Sequence, residues 1–98
     1  MNIYEIPLKQ MPNFSFSTVI GEENLLISLR YINDNTYMDL TVNNNIIFQG
    51  LRVDSNISLT SNYKYKSVLG DLIFICPQND KVEYNNFNTE KCKLFYIV

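Results

Sequence analysis

Asn24-Leu25-Leu26-Ile27-Ser28-Leu29-Arg30-Tyr31-Ile32, then Asn33-Asp34-Asn35, then Thr36-Tyr37-Met38-Asp39-Leu40-Thr41-Val42, is the stretch on which the fold turns. In the first run Leu25, Ile27, Leu29 and Tyr31 share one face of an extended chain, and Leu26, Ser28, Arg30 and Ile32 share the other. The run after Asn35 alternates again, with Met38, Leu40 and Val42 on one side and Tyr37, Asp39 and Thr41 on the other. Asn and Asp tolerate left-handed backbone, so Asn33-Asp34-Asn35 is a turn and the two runs form a β-hairpin.

The same period extends outward. Phe14, Phe16, Thr18 and Ile20 alternate with Ser15, Ser17 and Val19, and Gly21-Glu22-Glu23 ends that strand as a solvated turn. Asn43-Asn44-Asn45 is the next turn, and Ile46 to Val53 is a third meander strand in which Gly50 marks a bulge or a close backbone approach. Asn56–Thr60 and Tyr63–Tyr65 read as short strands, and Gly70-Asp71 as a turn. Leu72–Cys76 is a continuous apolar strand closed by Pro77, residues 77–91 are a long polar loop or a loose hairpin, and Cys92–Val98 is a last strong strand. Ile3–Leu8 is extended and contains Pro7, which places it at an edge or over the surface.

Alanine, the best helix former, is absent, and no segment carries a helical period. The expectation is one all-β domain over residues 1–98, a small antiparallel barrel or sandwich of about seven to nine strands. Its core is expected to include Leu25, Ile27, Leu29, Met38, Leu40, Val42, Leu72, Phe74, Leu94 and Tyr96.

Composition narrows the function. The net charge is −2 with only 8 Lys and Arg and no basic run, which argues against nucleic acid as a partner. Tyr63-Lys64-Tyr65-Lys66 interleaves bases with aromatics, but two lysines make no phosphate-tracking stripe. The longest apolar run, Leu72 to Pro77, is far shorter than a membrane span, and no secretory signal pattern opens the chain. The charged share of 18% is low for a free-standing small domain, which suggests that a partner covers part of the surface.

No catalytic constellation is visible. The absence of His removes the Ser-His and Cys-His arrangements, and the three glycines are too far apart for a phosphate loop. Glu22 and Glu23 are neighbours whose side chains diverge on a strand, and no metal-ligand or calcium-loop spacing occurs. Cys76 and Cys92 without His make no zinc site; two reduced, half-buried thiols are the simpler reading and their pairing is the alternative. Catalytic residues, metals and cofactors are therefore all read as none. The tyrosines leave a rival open. Tyr31, Tyr37, Tyr63, Tyr65, Tyr84 and Tyr96 could stack on sugar rings in a carbohydrate-binding sandwich, although half-buried core is the commoner place for Tyr.

The order of short motifs carries a resemblance across essentially the whole chain. Ile6-Pro7-Leu8 is followed by Phe14-Ser15-Phe16 and the hairpin Leu29 to Leu40. Gly50-Leu51, Leu59, Tyr63, Leu69-Gly70-Asp71-Leu72 and an apolar-aromatic final strand complete it. This order resembles the cyanophage baseplate plug family, small baseplate proteins of contractile-tailed phages and related phage-tail-like particles. The resemblance implies a non-catalytic structural subunit of the virion tail baseplate, near the central hub and tail tube. It implies other baseplate, hub or tail-tube proteins as partners, self-association of copies within the tail, and synthesis in the bacterial cytoplasm without a signal peptide.

Both ends of the chain are apolar where ends are normally polar. Ile3, Ile6, Pro7, Leu8, Phe95, Ile97 and Val98 are therefore the candidate interface. Either the two segments pair with each other and close the sheet, or one of them pairs with a neighbouring baseplate subunit by strand addition.

Overall fold

The computed structural model describes residues 1–98. Seven strands form in chain order: β1 (Ile3–Ile6), β2 (Asn13–Ile20), β3 (Glu23–Ile32), β4 (Asn35–Val42), β5 (Asn45–Arg52), β6 (Asp71–Ile75) and β7 (Lys93–Ile97). Helix is limited to 3-10 turns at Ser61–Lys66 and Tyr84–Asn86. The strands divide into a four-stranded sheet, β2-β3-β4-β5, and a three-stranded sheet, β1-β7-β6. All pairings are antiparallel, and the two sheets stay separate as a sandwich instead of closing into a barrel.

Local chemistry explains the large sheet. Asn33 and Asp34 have φ of 51° and 64°, and Asn43 and Asn44 have φ of 50° and 68°. Two central residues with positive φ make a type I′ turn, whose twist matches the strands on either side. The turns are thus two residues long, and Asn35 and Asn45 already belong to strands. Gly21, at φ 62°, takes the first central position between Ile20 and Glu23, as type II′ geometry requires.

Of the two readings of Gly50, the structure shows the bulge. Register shifts on either side of the Leu40–Phe48 pair, and Gly50 has φ 66°. The side chain of Asp39 fills the gap, accepting the Gly50 N–H at 2.7 Å and an Arg30 guanidinium N–H at 2.8 Å. At the second shift, between the Leu40–Phe48 and Thr41–Ile46 pairs, Ile47 is the extra residue, so the consecutive residues Ile47 and Phe48 are both buried.

All ten expected core residues are buried between the sheets, joined there by Ile6, Leu8, Val53, Val68, Val82 and Phe87. Four expectations need correction. Tyr63–Tyr65 lies in a 3-10 turn, where Tyr63 packs on Phe48 at 5.2 Å between ring centroids. Asn56–Thr60 makes only one β-bridge, Ser58 to Ile73. Glu23 is not a solvated turn residue: it opens β3 at 4% exposure, accepting hydrogen bonds from Tyr96 and from the Leu69 N–H. Cys76 and Cys92 are fully buried and joined as a disulfide. They flank the Ile75–Lys93 pair at the end of the β6–β7 ladder, so strand pairing itself brings them together.

Candidate docking surface

The two outer faces of the sandwich differ. On the large sheet one cross-strand row reads Ser15, Ser28, Asp39 and the next reads Asn13, Arg30, Tyr37, Arg52. Ser15 and Ser28 share a hydrogen bond at 2.7 Å, and Arg30 pairs with Asp39 at 2.8 Å. That face is apolar only toward its ends, at Val19, Leu26 and Ile46 on one side and at Ile32 on the other.

The outer face of the small sheet is apolar through its centre. Its rows are Ile3, Ile97, Asp71; Glu5, Phe95, Ile73; and Lys93, Ile75. Ile73, Ile75, Phe95 and Ile97 are half-buried there, and Ile3 is exposed. Ile75, Pro77, Glu90, Lys93 and Phe95 line a shallow groove on this face. Asp71 is held at the rim by Ser58 Oγ at 2.9 Å and Lys64 Nζ at 3.4 Å. A strand apolar on both faces is characteristic of a sheet covered on both sides. β6 and β7, Asp-Leu-Ile-Phe-Ile and Lys-Leu-Phe-Tyr-Ile, carry that pattern with only one face covered.

The structure divides the expected interface residues. β1 pairs with β7 from Ile3–Ile97 to Ile6–Leu94, and Asn2 and Val98 exchange both backbone hydrogen bonds beyond it. Ile6 and Leu8 belong to the core, at 2% and 6% exposure. The Leu8 backbone is clasped at both its N–H and its carbonyl by the Asn88 side chain. Ile3, Phe95 and Ile97 lie together on the outer face, Val98 is exposed next to them, and Pro7 is exposed where β1 ends. Sequence reasoning missed Ile73 and Ile75, although the unbroken apolar run through β6 was their signal.

The tyrosines do not share a plane. Tyr96 is fully buried, Tyr31 meets Tyr84 edge-on at 5.3 Å, Tyr63 is packed against Phe48, and Tyr37 lies between Arg30 and Arg52 on the opposite outer face. Nothing in this arrangement favours a sugar platform. No group of three or more His, Cys, Asp or Glu side chains is placed to hold a metal ion. No helix is long and apolar enough to cross a membrane.

Among curated proteins none matches the chain. A family model described as cyanophage baseplate Pam3 plug gp18 matches residues 3–98, which includes both sheets and every strand named above. The chain belongs to this family of cyanophage baseplate plugs, and it is a structural component of a phage baseplate.

Proposed function

We propose that residues 1–98 act as one non-catalytic plug-like domain, docked beside the central hub and tail tube through the outer face of the small sheet. The observation that carries this reading is the apolar centre of that face, Ile3, Ile73, Ile75, Phe95 and Ile97, with Val98 and Pro7 at its margin. A monomer gains nothing from apolar groups there; a subunit covered by a neighbour gains roughly 25 cal/mol for each Å² of apolar surface removed from water. The partners are other baseplate, hub or tail-tube proteins. The chain is made in the bacterial cytoplasm and enters the virion by assembly, without secretion.

Replacement of the gene by variants in tail-producing cells tests this. Phe95→Lys and Ile73→Lys alter half-exposed side chains on the outer face and are expected to fold while incorporation into baseplates falls. Lys9→Ala, on an exposed residue outside both sheets, is expected to incorporate normally. Normal incorporation of both folded lysine variants would sink the assignment of this face.

A further inference from the structure

Three of the four sheet edges are blunted or covered. The outer edge of β6 is occupied: the Leu59 N–H donates to the Leu72 carbonyl, the Asn56 N–H to the Phe74 carbonyl, and the Asn56 and Thr60 side chains accept the Cys76 and Leu72 N–H groups. β5 carries the Ser61–Lys66 turn, with Lys66 Nζ on the Ile47 carbonyl at 3.1 Å. β1 is short, bears Glu5 and ends at Pro7.

β2 has none of these devices. It is eight residues long, Asn-Phe-Ser-Phe-Ser-Thr-Val-Ile, without charge, proline or bulge. Free-standing proteins rarely leave such an edge open. The direction of its backbone groups follows from the pairing. The Ile20–Glu23 pair closes the two-residue turn and the Tyr31 N–H donates to the Pro12 carbonyl, so alternate residues from Pro12 to Ile20 face β3. The backbone groups of Asn13, Ser15, Ser17 and Val19 therefore point away from the sheet, and none has a hydrogen-bond partner in the chain.

The side chains along the edge describe what would fit. Phe14 and Phe16 stack at 5.8 Å between ring centroids on the core side and remain half-exposed along the open flank. Ser15 and Ser17 are small and exposed on the other side, and exposed Val19 lies diagonally beside Leu26. We propose that β2 accepts an extended, uncharged segment of another baseplate subunit by antiparallel or parallel strand addition. Its alternate apolar side chains cover Phe14 and Phe16, and its small side chains pass over Ser15 and Ser17. This rests on the chain being a structural baseplate component and is independent of the small-sheet face. A second copy is the poorer occupant. Two eight-residue edges meeting alone cover well under the roughly 1,200–2,000 Å² of a stable interface, whereas a segment already held in the assembly binds at high effective concentration.

Hydrogen–deuterium exchange of residues 13–20, in the free protein and in assembled baseplates, tests the proposal. The amides of Ser15, Ser17 and Val19 are expected to exchange freely in the free protein and at least about a hundredfold more slowly in the baseplate. Unchanged exchange overturns strand addition regardless of any variant. Ser17→Pro removes only an outward N–H, so the variant is expected to fold and to be incorporated at least about tenfold less. If it fails to fold, the exchange measurement decides. If folded Ser17→Pro incorporates normally, the edge is not used, even when Phe95→Lys shows that the outer face is. If Ser17→Pro is lost while Phe95→Lys and Ile73→Lys both incorporate normally, the edge assignment stands and the outer-face reading fails. A dimer of the free protein in analytical ultracentrifugation that Ser17→Pro dissolves gives the edge to a second copy and overturns the proposal.

Discussion

The Tyr96 hydroxyl donates a hydrogen bond to the Glu23 carboxylate, tying the last strand of the small sheet to the first residue of β3 in the large one. Both residues are buried, and the network is closed on each side. The Gly70 N–H donates to the Tyr96 oxygen at 2.8 Å, and the Leu69 N–H donates to the second Glu23 oxygen at 3.2 Å. A buried carboxylate is tolerable only when its oxygens are satisfied, so this polar bridge sets the relative placement of the sheets at one end of the sandwich.

Removing the phenol exposes that dependence. Tyr96→Phe leaves the Glu23 oxygen and the Gly70 N–H without their partner, at an expected cost of about 1–3 kcal/mol. Urea denaturation checks this. A midpoint equal to the parent's would show that the bridge is energetically idle.

Alkaline pH acts on the same group. Burial, reinforced by the hydrogen bond to Glu23, raises the Tyr96 phenol well above its usual value. A folded-state value above the unfolded one gives stability that is complete below the unfolded value of about 10 and is lost as pH rises beyond it. The parent is expected to lose stability above about pH 10 with a phenolate absorbance step that coincides with unfolding, and Tyr96→Phe to lose less over the same range. Equal slopes for the two proteins would contradict this.

Gly70 is required for space. A Cβ there would lie 2.6 Å from the Tyr96 ring and 2.8 Å from the Ile97 carbonyl, neither of which can yield without disturbing β7. Gly70→Ala is expected to destabilise by about 1–3 kcal/mol as an overpacking change. Gly21→Ala meets no neighbouring atom and strains only the positive φ, so its thermal melt should show turn strain without loss of core packing.

The core hairpin gives a sharper contrast. Leu29→Ala, at 1% exposure, is expected to cost about 2–5 kcal/mol. Lys81→Ala, on an exposed residue whose Nζ lies 5.6 Å above the Tyr31 ring, should stay within about 1 kcal/mol. Denaturant midpoints for the two variants report the difference, and similar midpoints would contradict the placement of the core.

The Cys76–Cys92 bridge spans a sequence separation of 16. Closing a loop of that size is expected to stabilise the fold by about 3 kcal/mol. The strand ladders and the core do not need the covalent link, so reduced protein is expected to keep its β-type circular dichroism and to melt at lower temperature. Thiol titration in denaturant, with and without reductant, checks the pairing itself.

The alternation through Leu25–Tyr31 and Met38–Val42, the Asn pairs that accept positive φ and the bulge at Gly50 are properties of neighbouring residues. They determined the hairpins, the inward residues and the all-β class from sequence alone. The motif order was likewise legible as a baseplate plug, because it follows the chain. What Glu23, Cys76, Cys92 and Ile6 do was decided elsewhere. Glu23 is polar and next to a turn, so locally it belongs in water; it is buried because Tyr96, 73 residues away, brings a hydroxyl to it. Two cysteines without any other ligand look like thiols until β6 and β7 pair and align them. Whether Ile6 closes the sheet or meets a neighbouring subunit stays open in the sequence, until β1 pairs with β7 and turns it into the core. Period and turn chemistry act within a few residues, whereas burial depends on which strands meet, and the tertiary structure alone decides that.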